Sequence, residues 1–222
     1  MTPPTVVLFD LDGTLTDPRV GITVSMQHAL ATVGVEVADP DELTWCIGPP
    51  IIENLARLDV TGDRAWAAVA AYRERYDEVG ALENVVYDGI PGLLDALRAD
   101  GRRLSLATSK PEPVAERILV HFDLARRFDV LAGGTLDQTR SAKADVVAWA
   151  LDQLGRLDSG GPDPADVVLV GDRRHDVEGA RAHGIGVVAV TWGYAEPGEL
   201  ELAGPDAVVT TVDELATTLG LG

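Results

Sequence analysis

Six short apolar runs punctuate the chain: 5–10 (TVVLFD), 103–109 (RLSLATS), 128–134 (FDVLAGG), 166–172 (DVVLVGD), 186–192 (GVVAVTW) and 206–210 (DAVVT). Each is rich in valine, leucine or alanine and too short for a core helix, the pattern of strands buried on both faces of a parallel sheet. Helical periodicity fills the gaps at 91–101, 111–122 and 141–155, with proline near a start or glycine just past an end. The alternation predicts an α/β fold, a doubly wound parallel sheet with helices on both faces. The stretch 156–166, RLDSGGPDPAD, is predicted as a turn-rich connector.

Residues 15–88 break the alternation, because no strand pattern occurs there. GITVSMQHALATVG sets Ile22, Met26, Ala29, Leu30 and Val33 on one helical stripe ending at Gly34, and RAWAAVAAYRERY offers a second, alanine-rich helix. The expectation is a helical insertion, a cap over 16–88, interrupting a core made of 1–15 and 89–222. Its two ends must then lie close together, one of them beside Asp10 and Asp12.

Composition narrows the function classes. Acidic residues outnumber basic ones 36 to 18, a formal charge of −18 in 222 residues. Such a surface repels nucleic-acid backbones and anionic membranes, so a small anionic substrate needs a local positive centre. The single cysteine, Cys46, precludes an internal disulfide framework and reads as a small core residue. The opening MTPPTVVLFD has no basic region and no long apolar core, and no stretch reaches the length of a bilayer span. A cytoplasmic location is expected, with no membrane and no nucleic-acid polymer as partner. Lys110 and Lys143 are the only lysines; arginine supplies every other basic side chain. A lysine kept where arginine is the habit suggests a place that wants a compact ammonium.

In an open parallel sheet, ligands bind beyond the carboxyl ends of the strands. Three predicted strands end in polar groups: Asp10 and Asp12 in LFDLDGTLTD, Thr108 and Ser109 after LSLA, and Asp172 after VVLVG. Residues two apart on extended chain point the same way, so Asp10 and Asp12 address one pocket until Gly13 turns the chain. With Asp172 and Asp176 added, the carboxylates repel unless a partner joins them. A hard divalent cation with oxygen ligands resolves the conflict, and Mg²⁺ is the candidate.

These motifs carry a resemblance. DLDGT, the threonine of LSLATSK, Lys143 in RSAKADVV and VGDRRHDVEGA stand in the order of the four motifs of the haloacid dehalogenase superfamily. The chain is similar to its phosphoglycolate phosphatase and 5'-nucleotidase-like branch. The resemblance covers the core from end to end and implies a Rossmann-like core with an inserted cap. It also implies an Mg²⁺-dependent phosphatase acting on a small phosphorylated metabolite. Asp10 is then the nucleophile that forms an aspartyl-phosphate, and Asp12 protonates the leaving alcohol and later activates water. Mg²⁺ sits between Asp10, the backbone carbonyl of Asp12 and Asp172, with Asp176 orienting its surroundings. Thr108, with Ser109 beside it, and Lys143 hold phosphate oxygens.

Within that frame Lys110 is expected to be a loop or ion-pair residue. Arg173, Arg174 and His175 fill the loop between Asp172 and Asp176, and Arg173 stands where many relatives carry serine or threonine. His28, His121 and His183 fall in helical patterns. Trp45, Trp66, Trp149 and Trp192 read as packing residues, although Trp45 adjoins CIGPP, where Gly48, Pro49 and Pro50 resemble a substrate-facing turn of the cap. Phosphonate cleavage needs a cap lysine, and 15–88 contains none; dehalogenation dispenses with Asp12 and Asp172, and both are present. A sugar-phosphate mutase of the same superfamily remains the alternative reading, with a non-catalytic scaffold member behind it. The motifs do not choose the metabolite or the oligomeric state.

Overall fold

In the computed structural model, residues 3–137, 139–158 and 160–222 are described. The chain divides into two units, one made of Met1–Thr16 and Val86–Gly222 and the other of Asp17–Val85.

The larger unit is built on a six-stranded parallel sheet. Its strands are β1 (Val6–Phe9), β4 (Arg103–Pro111), β5 (Val130–Gly134), β6 (Val167–Gly171), β7 (Gly186–Val190) and β8 (Ala207–Val209), ordered β5-β4-β1-β6-β7-β8. All six apolar runs are strands, and the expected doubly wound α/β fold is the observed one. Buried β1 lies between β4 and β6, with Phe9 in register with Leu106 on one side and Val170 on the other. Successive side chains alternate between faces. Val6 and Leu8 join Val167 and Leu169 in a core closed by Val146, Val147, Ala150 and Leu154 of α6 (Lys143–Asp158) and Val177 and Ala180 of α7 (Arg174–Arg181). Phe9 meets Phe128 edge to face at 6.4 Å between centroids. Two further helices, α4 (Ile90–Ala99) and α9 (Val212–Thr218), pack on β4 and β8 respectively and on each other. The remaining helices of this unit are α5 (Glu112–His121) and α8 (Glu199–Ala203).

The chain leaves β1 toward β4 and later returns by α6 to place β6 on β1's other side. That reversal between β1 and β6 is the topological switch point, where the carboxyl ends of neighbouring strands open a crevice. Because β1, β4 and β6 are paired in register, with Leu106 and Val170 beside Phe9, Asp10, Thr108 and Asp172 fall within two residues of one level.

The smaller unit is helical: α1 (Arg19–Thr32), a 3₁₀ segment (Pro40–Cys46), α2 (Ile51–Arg57), α3 (Gly62–Glu78) and a short 3₁₀ turn (Gly80–Leu82). Ile22, Met26, Ala29 and Leu30 are buried as the stripe predicts, and Val33 only partly. Cys46 is buried, as expected. Asn54 donates from Nδ2 to the carbonyls of Cys46 (2.8 Å) and Pro49 (3.3 Å), fixing the turn around Gly48.

Four expectations need correction. Strands do occur between 15 and 88: β2 (Thr16–Asp17) and β3 (Val85–Val86) pair as a two-stranded ribbon, each too short to leave an alternation in the sequence. The connector begins later than expected, because α6 continues through Gly155 to Asp158, and Pro164–Asp166 forms a 3₁₀ turn capped by Asp163; Ser159, in the same stretch, lies outside the described residues. His183 follows the end of α7, its ring Nε2 2.8 Å from the Ala144 carbonyl. Trp66 is 59 % exposed and so packs little. Among the described residues, no helix is long and apolar enough to cross a membrane.

In the helical unit, a methyl group on Gly21 would sit 1.9 Å from the Gly80 carbonyl oxygen, a backbone atom that cannot swing aside. Gly21→Ala should therefore cost about 1–3 kcal/mol of overpacking despite alanine's better helix propensity. Hydrogen exchange should show lost protection in α1 and α3 with β1, β4 and β6 unaffected; unchanged protection in α1 would contradict this.

Candidate active site

Gly13 sets the local geometry after β1. Its φ of +81° suits glycine, and a Cβ there would lie 2.2 Å from Asp172 Oδ2. The turn thus lets the chain cross in contact with the carboxylate from β6. Thr14 completes the crossing by donating its hydroxyl to Asp172 Oδ1 at 3.2 Å. Gly193, after β7, makes an equally close approach, and Tyr194 N–H donates to Asp172 Oδ2 at 2.7 Å.

One carboxylate oxygen each from Asp10, Asp172 and Asp176 lie within 4.8 Å of one another. Asp172 and Asp176 are 1 % exposed and Asp10 7 %. Burial, with Asp176 and Asp10 adding repulsion, raises the Asp172 carboxyl well above the usual carboxylate range. Asp176 is raised as well, by burial against the pull of Lys143. The Asp10 side chain is turned by its own neighbours: its Oδ1 accepts Leu11 N–H at 2.8 Å and lies 2.9 Å from Lys143 Nζ.

Lys143, the first residue of α6, reaches back into this cluster. Its ammonium is 2.9 Å from Asp10 Oδ1, 2.8 Å from Asp176 Oδ1 and donates to the Ala107 carbonyl at 3.0 Å. Burial alone would lower its pKa, yet the two carboxylates prevail and raise it. A cation at a helix N-terminus opposes the macrodipole, so these acids also compensate an unfavourable position.

Asp12 faces a different partner. Its Oδ2 is 2.7 Å from Lys110 Nζ, while Oδ1 is buried without a hydrogen-bond partner. Burial raises its carboxyl above the ordinary range, with Lys110 pulling the other way. Thr108 is buried, its hydroxyl accepting Lys110 N–H at 3.3 Å, and Ser109 is partly buried beside it. The structure thus gathers Asp10, Asp172, Asp176 and Lys143 directly and places Asp12 and Thr108 alongside through Lys110. Both lysines of the chain belong to the site.

Arg173 resolves its local hydrogen bonding with a residue that the motifs do not mark. Its guanidinium, 5 % exposed, donates to Glu199 at 2.9 Å. The closeness of Glu199 to the site leaves no spacing signal, because 22 residues, β7 among them, separate it from Asp176.

Four carboxylates face two ammonium groups here, which leaves two formal negative charges in a buried site. An all-oxygen donor set of that charge suits a hard divalent cation.

Comparison with known proteins gives four findings. A family model described as haloacid dehalogenase-like hydrolase matches residues 7–190. The chain is 45 % identical over 220 residues to a protein of Mycobacterium tuberculosis named tyrosine-protein kinase PtkA, covering 98 % of this chain and 73 % of that one. It is 42 % identical over 200 residues to a 5'-nucleotidase of Pseudomonas aeruginosa, covering 90 % and 88 %. Among solved structures, a predicted phosphatase from Clostridium acetobutylicum superposes with a TM-score of 0.91 at 37 % identity, covering 97 % and 98 % of the two chains.

The raised Asp172 gives a pH-dependent test. Unfolded, an aspartate ionises near about pH 4; folded, this one keeps its proton to higher pH. Across that interval the folded state binds more protons, so stability falls as pH rises. Metal-free Asp172→Asn keeps an acceptor for Tyr194 N–H and cannot ionise. Its Tm relative to the native protein should therefore climb as pH rises above about 4, whereas a constant offset would refute the burial of a strained carboxylate.

Proposed function

The chain belongs to the haloacid dehalogenase-like hydrolase family, and from that premise we propose that it is an Mg²⁺-dependent phosphatase of small phosphomonoesters working through an aspartyl-phosphate. The observation that carries this reading is the packing of Asp10, Asp172 and Asp176 oxygens within 4.8 Å around a buried lysine. The residues fit the metal by donor type and charge: Asp10, the Asp12 carbonyl and Asp172 would hold it. When bound, Mg²⁺ supplies charge neutralisation of the phosphoryl oxygens.

The side chains divide the remaining work. Asp10, fixed through Oδ1, presents its carboxylate to phosphorus, so one difficult displacement becomes two easier ones. Asp12 holds a proton for the leaving oxygen, as its burial-raised pKa permits, and afterwards takes one from the attacking water. Lys143 and Thr108, with Ser109 beside them, receive the non-bridging oxygens. The helical unit, read as an inserted cap, is assigned the choice of metabolite. The 42 % identical 5'-nucleotidase makes nucleoside monophosphates the first substrates to try, with phosphoglycolate and sugar phosphates next.

A second reading follows from the 45 % identical tyrosine-protein kinase. An aspartyl-phosphate can pass its phosphoryl group to water or to a sugar hydroxyl, whereas a tyrosine kinase must also take that group from a nucleoside triphosphate, so donor and acceptor together separate phosphatase, mutase and kinase. Transfer from ATP is disfavoured because the chain carries neither the GxxxxGK[ST] loop nor the V-A-I-K, H-R-D and D-F-G segments that position ATP in established phosphotransferases.

With Mg²⁺ and a panel of phosphorylated metabolites, the native protein should release inorganic phosphate, and Asp10→Asn should lower turnover by at least about 10³-fold with an unchanged circular dichroism spectrum. Appreciable residual turnover would overturn the nucleophile assignment. Incubation with γ-labelled ATP should label no tyrosine; labelled phosphotyrosine would establish the second reading instead.

A further inference from the structure

Asp172 and Asp176 sit on the loop between β6 and α7, and the carboxylate of Glu199 ties that loop to the one after β7. Glu199 Oε1 accepts Arg173 Nε–H at 2.9 Å and Arg174 N–H at 2.8 Å. Oε2 accepts Glu196 N–H at 2.9 Å and a longer bond from Arg173 Nε at 3.2 Å. Both partners are nearly buried, Arg173 at 5 % and Glu199 at 9 % exposure. Each tied loop also holds a carboxylate of the cluster. Arg173 N–H donates to Asp176 Oδ2 at 3.0 Å, and Tyr194 N–H, on the β7 loop, donates to Asp172 Oδ2 at 2.7 Å. Glu199 therefore sits one hydrogen-bonded step behind Asp176 and anchors the segment that orients Asp172.

We propose that Glu199 is a positioning residue of the metal site: it locks the two loops so that Asp172 and Asp176 present their oxygens at the spacing a divalent cation requires, without ligating the cation itself. The bond pattern supports alignment rather than neutralisation alone, since two of its donors are backbone N–H groups on opposite loops. Three like-charged oxygens cannot hold such a spacing by themselves, because repulsion opens the cluster whenever the backbone yields. Partners one step behind the ligands typically contribute 10–100-fold in metal affinity.

This inference rests on the Mg²⁺ reading, and one experiment separates the two. Metal-free full-length protein is titrated with Mg²⁺ by calorimetry and by thermal shift, comparing the native chain with Glu199→Gln and with the double variant Arg173→Met/Glu199→Gln. Both variants should bind Mg²⁺ at least about 10-fold more weakly, while turnover at saturating Mg²⁺ stays close to native. The double variant leaves no buried unpaired cation, so it carries the test if the single variant does not fold. Native-like affinity in both variants, or affinity restored by removing Arg173, would overturn the positioning role and leave the metal reading intact. No Mg²⁺ binding by the native chain would overturn both.

Discussion

Mutual repulsion of carboxylates is the constraint around which the larger unit is organised. Asp10, Asp172 and Asp176 bring oxygens within 4.8 Å in a place that water barely reaches. Bringing acids together in that way is unfavourable, and the raised pKa values of Asp172 and Asp176 are its signature. Lys143 offsets part of the cost, and hydrogen bonds from Thr14, Tyr194 and Arg173 hold what remains in place. A cluster of carboxylates strained in this way would gain from binding a cation.

The sheet makes this concentration possible. With β1 between β4 and β6 in matched register, three adjacent strands deliver functional groups at nearly one level, and no long loop has to be ordered to assemble them. Glycines then permit contact distances that any Cβ would block: Gly13 and Gly193 flank Asp172, Gly171 lies against Asp176, and Gly179 leaves room for the Lys143 stem. Rigid strands supply precision and glycines supply proximity, which is what a preorganised charged site requires.

That division of labour explains what could be read from the sequence. The strands were legible because burial on both faces forces continuous apolar runs, and Asp10, Asp12, Asp172 and Asp176 because each follows such a run at a fixed short offset. Lys143 was legible through its misfit with the helix dipole and its motif. The pairing of Lys110 with Asp12 is foreshadowed by the expected ion-pair role, but its partner is set by the β1–β4 register rather than by spacing. Glu199 left no trace, since it meets Arg173 only after β7 has crossed the sheet. Strands β2 and β3 escaped because two residues cannot display a period.

The lysines settle into the same physics. All other basic side chains are arginines, yet the two lysines both lie in the site. An ammonium has three donors spread around a compact charge, and Lys143 meets three acceptors around it: Asp10, Asp176 and the Ala107 carbonyl. A planar guanidinium presents its donors as a flat fork suited to one carboxylate. Lysine is thus required here by the directions of its neighbours. A sequence that otherwise substitutes arginine freely marks, through its exceptions, where three-dimensional donor geometry outweighs charge alone.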